Sequence, residues 1–241
     1  MKKNLGRERR GIAGVDEAGR GALSGPVVAA AVILDEGITR RNGLWRQVRD
    51  SKSLTPDQRS VLVRYIRANV LDFGVGLATH KEIDALNILQ ASLLAMRRAV
   101  EGLKRMPREL LIDGKNKIPL LASPILGEEN TRSLSPPSIG GVRGGISRWE
   151  TIEQRAIING DAKILAISAA SIIAKVFRDE LMIKFGEKFP EYGFERHKGY
   201  GTALHFERLK HHGPCPIHRM TFAPVRRINE KNKQWAEWQR G

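Results

Sequence analysis

The chain has 241 residues, which suits one large domain or one and a half small ones and permits burial of roughly 70% of the unfolded surface. Its 41 Lys and Arg against 26 Asp and Glu give a net charge of +15 and a pI near 10.4. That balance points to a polyanionic partner, most commonly nucleic acid. A spanning helix is excluded, because no apolar run reaches about 18 residues. A single cysteine, Cys215, excludes an internal disulfide framework and a Cys-based zinc site. The start MKKNLGRERRG lacks the apolar stretch of a signal peptide, so the chain reads as cytoplasmic, with no membrane attachment.

In chain order, residues 1–10 read as a flexible basic arm. Ile12 to Val15, Val27 to Leu34 and Phe73 to Ala78 read as three strands joined by turns rich in Gly and charge. Ile38 to Arg49 is a basic connection. Thr55-Pro56 starts a helix that runs to about Asn69, with Thr55 as N-cap and Pro56 at the first helical position. Val61, Leu62, Tyr65 and Ile66 form its apolar side. Leu86, Leu89, Leu93, Met96, Val100 and Leu103 recur alternately three and four apart, the stripe of one helix from Lys81 to about Leu103. Pro107 ends this region, and Glu109 to Asp113 is a short strand closing on a carboxylate and Gly114.

From Ala122 to Trp149 Ser, Pro, Gly and Arg dominate, and such a stretch cannot bury enough surface to offset its ordering entropy. It reads as a flexible surface insertion centred on 127–150. Leu165 to about Phe185 is a further helix, whose small residues from Ala166 to Ala174 permit tight packing on a sheet. Thr202 to His212 is a final amphipathic helix. After Pro224 the chain is basic, with Trp235 and Trp238 three apart on a candidate helix that docks on the domain. Three strands before the long helices suit an α/β layer structure with a mixed sheet that opens as a meander.

The chemistry sits in the acids. Asp16 and Glu17 lie between two apolar runs, where charges removed from water need a partner. One reading is a polar hairpin turn with one acid outward and one salt-bridged. The other is a site for a divalent cation, since hard metals prefer carboxylate oxygens. Asp113 ends a strand, where open α/β sheets place ligands, although Asp-Gly is also a common turn. Asp161, in Gly160-Asp161-Ala162-Lys163, is either a helix N-cap or a fourth acid of the same set. Four carboxylates suffice to hold two cations for phosphodiester hydrolysis. Gly19-Arg20-Gly21 follows the acid pair with bare backbone and a guanidinium suited to phosphate.

Taken together, Val15-Asp16-Glu17-Ala18-Gly19-Arg20-Gly21, Asp50-Ser51-Lys52, Leu111-Ile112-Asp113-Gly114 and Ser168 to Lys175 (SAASIIAK) resemble bacterial ribonuclease HII. So do Arg178-Asp179, His197 to Thr202 (HKGYGT) and Phe222 to Val225, all in the family's order from about Gly11 to Arg226. The resemblance implies a ribonuclease H-like fold: a mixed central sheet flanked by helices, with a helical C-terminal part at about 186–226 and a basic tail at 227–241. It implies cleavage of RNA in RNA–DNA hybrids and incision 5′ to single ribonucleotides embedded in duplex DNA, leaving 3′-hydroxyl and 5′-phosphate ends. It also implies Mg²⁺ or Mn²⁺, two per site during catalysis, on Asp16, Glu17, Asp113 and Asp161. By the same resemblance Gly19, Arg20 and Gly21 read the 2′-hydroxyl, the group that separates RNA from DNA. Tyr200 packs on the following sugar, and Lys52 and Lys198 contact phosphates.

Asp113 and Asp161 stand 48 residues apart, wider than the family's usual span, and the insertion accounts for the excess. Asp50, Asp84 and Asp179 read as structural: a turn or cap, a helix-surface acid, and a partner of Arg178. His197, His205 and His218 lack metal-ligand spacing and are not read as ligands. Two rival functions are a silent nucleic-acid-binding module and a resolvase or transposase of the same fold. Ribonuclease HIII is nearer, but it carries an extra N-terminal domain for which Asp16 lies too near the start. A monomer is the default, and protein partners are not legible.

Overall fold

The computed structural model describes residues 11–35, 37–41, 43–48, 54–120, 149 and 151–238, with no side-chain description for 233 and 235–238. The basic arm at 1–10, Asp50-Ser51-Lys52 and residues 121–148 of the insertion lie outside the described residues, as do the side chains of Trp235 and Trp238.

Five strands form one mixed sheet in the order β3-β2-β1-β4-β5. β1 (Ile12–Ala18), β2 (Val27–Leu34) and β3 (Asp72–Ala78) make the antiparallel meander expected from the sequence. β4 (Glu109–Asp113) then joins β1 in parallel, and β5 (Glu153–Ile157) joins β4 in parallel. β5 was not expected. Its sequence, EQRAI, alternates polar and apolar residues too weakly to stand out, as suits a short edge strand.

Alternation across the pleat sorts the strands between two cores. Ala13, Val15, Ala29, Ala31 and Ile33 face one layer with α3 (Ile88–Glu101), while Ala30, Val32 and Leu34 face the other. That second layer holds α1 (Pro56–Asn69) and the 24-residue α5 (Leu165–Lys188). α5 packs closely because its first turns are small and because Gly14 has no side chain. A Cβ on Gly14 would lie 2.1 Å from the Ala166 carbonyl carbon.

Thr55 caps α1 as expected, in a capping box closed by Gln58. Its apolar side is narrower than expected: Leu62 and Ile66 are buried, but Val61 is exposed. The single helix expected from Lys81 to Leu103 is two, α2 (His80–Leu86) and α3, broken at Asn87. Asn87 takes a left-handed φ of +74° and its side chain accepts from the backbone N–H groups of Leu89 and Gln90. With ψ at 163° the residue lies outside the left-handed helical region, and the two cap hydrogen bonds offset the cost of that backbone. The break changes the phase of the stripe, so Leu89 is exposed while Leu93, Met96 and Val100 stay in the core.

Trp149 and Ile152, at the far end of the expected insertion, are buried in the core beside α3. After α5 come α6 (Phe194–His197), α7 (Ala203–His212) and α8 (Ala223–Trp238). α7 is therefore not the final helix. Val225 and Ile228 of α8 pack with Leu209 of α7 and with Leu23 of the β1–β2 connection. Among the described residues no helix is long and apolar enough to cross a membrane.

Candidate active site

The register of the sheet brings the first three acids to one end. Val15 pairs with Ile112 in the parallel β1–β4 ladder, so Asp16 and Asp113 leave adjacent strands side by side. Asp16 shares the parity of Gly14 and so faces α5, where it hydrogen-bonds the Ser171 side chain. Its Oδ1 also accepts from the Glu17 N–H at 2.7 Å. Asp113 Oδ1 accepts from the Gly160 N–H at 2.7 Å, tying β4 to α4 (Gly160–Lys163), the single turn that carries Asp161.

Asp161 is not the N-cap of α5. Ile164 holds that position, and the Asp161 carboxylate accepts from its own neighbour, Ala162 N–H, at 2.9 Å. The Asp161 carbonyl is held by the Ser168 hydroxyl, which in turn receives Arg40 Nη2 at 2.9 Å.

Burial dominates the electrostatics here. Asp16 is 4% exposed. Desolvation, followed by the neighbouring Glu17 and Asp113 charges, holds its carboxyl well above the usual carboxylate range, against the Ser171 and Glu17 hydrogen bonds. Glu17 is raised as well, first by burial and further by Asp113, with Arg20 opposing. Arg20 Nη1 reaches Glu17 Oε1 at 3.0 Å, so the loop guanidinium is tethered to the acid pair. Glu17 Oε2 is buried with no hydrogen-bond partner.

These observations fit a divalent cation. An acceptor is left bare, and neighbouring carboxylates repel one another in a desolvated place, which is the donor chemistry of a hard-metal site. Asp16, Glu17 and Asp113 act on one another directly, whereas Asp161 is linked to them through the Gly160–Asp113 bond. Among the described residues no three of Asp, Glu, His and Cys converge as a closed ligand shell.

Beside the acids, the Gly19-Arg20-Gly21 turn stands on two buried arginines. Gly19 has a φ of +97°, and a Cβ there would lie 1.9 Å from Arg178 Nε. Arg219 donates to the carbonyls of Gly19, Arg20 and Gly25 at 2.7, 2.8 and 3.0 Å. Arg178 donates to Pro26, Lys198 and Ser24 carbonyls at 3.0, 2.9 and 3.2 Å. Asp179, expected as the partner of Arg178, pairs instead with Lys175 at 2.6 Å, one helical turn away. Asp84 is more than a helix-surface acid: it accepts from Met220 N–H, Thr221 N–H and the Thr221 hydroxyl, anchoring the chain just after Arg219.

The exposed tip of the turn, Arg20-Gly21, is open, and a Cβ on Gly21 would meet nothing within 4 Å. Ala22 bridges to Tyr200, which is half-buried with the Arg178 guanidinium 5.2 Å and Lys175 Nζ 5.5 Å from its ring centre. Lys198 is partly buried in a left-handed turn (φ +51°), and its Nζ donates to the Glu195 carbonyl. The sequence reading missed the paired roles of Arg178 and Arg219. Their signal was weak, because a lone buried Arg in a basic chain looks like any other.

The sequence pattern of the family described as Ribonuclease HII matches residues 13–225. A ribonuclease HII of Polaromonas sp. (strain JS666 / ATCC BAA-500) is 49% identical over 217 residues, covering 90% of this chain and 92% of the relative. The ribonuclease H2 of Pyrococcus horikoshii OT3 superposes with a TM-score of 0.66 at 30% identity, over 92% of this chain and 99% of that one. A Bst-RNase HIII solved in complex with Mn²⁺ shares the fold, with a TM-score of 0.64 at 18% identity over 94% of this chain and 71% of that one. With its acids at the end of a mixed sheet and its helical C-terminal part bracing the turn beside them, this chain belongs to the ribonuclease HII family and is a ribonuclease H acting on RNA–DNA hybrids.

Proposed function

We propose that the enzyme is a divalent-metal-dependent endonuclease that also incises 5′ to a single ribonucleotide in duplex DNA, leaving 3′-hydroxyl and 5′-phosphate ends. The observation that carries this reading is the bare, buried Glu17 Oε2 beside the raised Asp16 carboxyl. Asp16, Glu17, Asp113 and Asp161 would hold Mg²⁺ or Mn²⁺, two ions in the working complex. Bound there, the ions would neutralise the phosphodiester and activate a water for attack.

The chain's own residues do the rest. Ser171 and the Glu17 N–H orient Asp16, and Gly160 N–H orients Asp113. Arg20 and Gly21 form the exposed tip of the turn, with Gly19 buried behind them, and Gly19, Arg20 and Gly21 together suit the 2′-hydroxyl of one ribonucleotide. Tyr200 packs on the next sugar, and Lys198 and Lys52 meet phosphates. The substrate is hybrid or ribonucleotide-containing duplex, bound by a monomer.

A duplex holding one ribonucleotide, incubated with the protein and Mg²⁺, tests the reading. Cleavage on the 5′ side of the ribonucleotide is expected, abolished by chelator and by Asp16→Asn. An intact strand at enzyme excess, or cleavage that survives Asp16→Asn, would sink it.

A further inference from the structure

The three histidines set aside as metal ligands meet in the C-terminal part. His197 and His205 stack with ring centres 4.3 Å apart and planes 14° apart, and His205 Nε2 lies 3.0 Å from His218 Nε2. All three are buried, packed around Phe194. Two ring nitrogens at 3.0 Å require a single proton between them, and the remaining contacts say which ring carries it. Cys215 N–H donates to His218 Nδ1 at 2.9 Å, nearer than the Cys215 carbonyl at 3.3 Å, so the His218 proton sits on Nε2. His205 Nε2 is then the acceptor, and the His205 proton sits on Nδ1, 2.9 Å from the Tyr200 carbonyl.

We propose that His218 and His205 are positioning residues for Tyr200, acting through one directed chain. Cys215 N–H donates to His218, His218 Nε2–H to His205, and His205 Nδ1–H to the Tyr200 carbonyl. The proposal rests on the reading of Tyr200 as a substrate contact. Tyr200 follows two successive left-handed residues, Lys198 at φ +51° and Gly199 at φ +80°. Its N–H donates to the His197 carbonyl at 2.9 Å and its carbonyl also accepts from Thr202 N–H at 2.8 Å, so His205 adds the side-chain donor that fixes the direction of this turn. Imidazole suits this role because it is rigid, and in its neutral form it donates at one end and accepts at the other. Burial keeps both rings neutral, His205 near 4 and His218 near 3.

The test compares kcat/KM on a duplex with one ribonucleotide for His205→Asn, whose amide keeps a donor near Nδ1, and His205→Gln, whose amide lies near Nε2. We expect a roughly ten- to hundredfold loss for Gln, as for other slight misplacements in a site, with most of the activity restored by Asn. In a Tyr200→Ala background the Gln substitution should cost little more. Equal losses in Asn and Gln, or a Gln loss that adds in full to that of Tyr200→Ala, would overturn the proposal. Unchanged cleavage by Tyr200→Ala would overturn the reading of Tyr200, and the proposal with it. Imidazole ¹⁵N spectra of the unmutated protein at pH 7 separate the two failures and need no variant to fold. They should show His205 protonated on Nδ1 and His218 on Nε2, and any other pattern removes the chain.

Discussion

Two neighbouring charged regions of this enzyme are withdrawn from solvent and differ in how the protein answers the charge. At the sheet end Asp16 and Glu17 are desolvated beside Asp113, and Glu17 Oε2 has no partner. Behind the neighbouring turn Arg178 and Arg219 are fully buried, yet each makes three hydrogen bonds to backbone carbonyls. Burial and the facing Arg178 pull Arg219 down to about 9, which still leaves it cationic at neutral pH. The arginines are complete within the chain and serve as scaffold. The acids leave one buried acceptor, Glu17 Oε2, without a partner inside the chain, which is what the proposed cation would supply.

The largest expected effect comes from removing one acid. Asp16→Asn should lower cleavage on the order of 10³-fold or more, the scale on which a single electrostatic group in an active site is felt. The same change should raise the Tm of chelator-treated protein at neutral pH, because it deletes a charge whose burial is uncompensated. A lower Tm would mean that Asp16 is as well satisfied as the arginines.

Arg219→Met tests the other side. It leaves the Gly19, Arg20 and Gly25 carbonyls without their donor, at about 1–3 kcal/mol for each buried acceptor. At about 2–4 °C per kcal/mol for a chain of this size, Tm should fall by roughly 10 °C, readable by calorimetry. A change of a degree or two would show that the turn stands without it.

Gly19→Ala should cost somewhat less, about 2–4 kcal/mol from left-handed strain and from the clash with Arg178. It should also reduce the preference for a ribonucleotide over an all-DNA duplex. An unchanged preference would detach the turn from substrate reading.

The smallest effect is a pH dependence of opposite sign in the two regions. Asp16 and Glu17 have folded pKa values above their unfolded ones, so without metal the native state holds protons longer and loses stability as pH rises through that window. His205 and His218 are depressed, so the unfolded state binds their protons first and stability is lost as pH falls below about 6.5. Chelated protein should therefore be most stable on the acid side of neutrality. Added Mg²⁺ or Mn²⁺ should raise Tm more at pH 7.5 than at pH 5.5, as protons compete for the carboxylates. An equal rise at both values would argue against binding at these acids.

Much of this was legible in the chain. β2 reads directly from an unbroken apolar run, α1 from Thr55-Pro56, and α5 from its small residues, because each is a local pattern with a local cause. Asp16, Glu17 and Asp113 were visible as acids at strand ends. The break at Asn87 was not, since one asparagine in a regular stripe looks harmless until its left-handed φ is seen. β5 stayed hidden because an edge strand with polar alternation owes its pairing to β4 rather than to its own residues.

By itself the sequence determined the fold class, the polyanionic partner and the set of candidate acids, because composition, periodicity and residue order are local properties. Only the tertiary structure decided which of those groups lack a partner. Val15 must pair with Ile112 before Asp16 and Asp113 repel one another. Arg219 must cross from the C-terminal part to meet the Gly19 carbonyl. His205 and His218, 13 residues apart, must converge before one proton can be shared between them. Hydrogen-bond satisfaction is a property of pairs distant in the chain, and only the folded chain brings those pairs together.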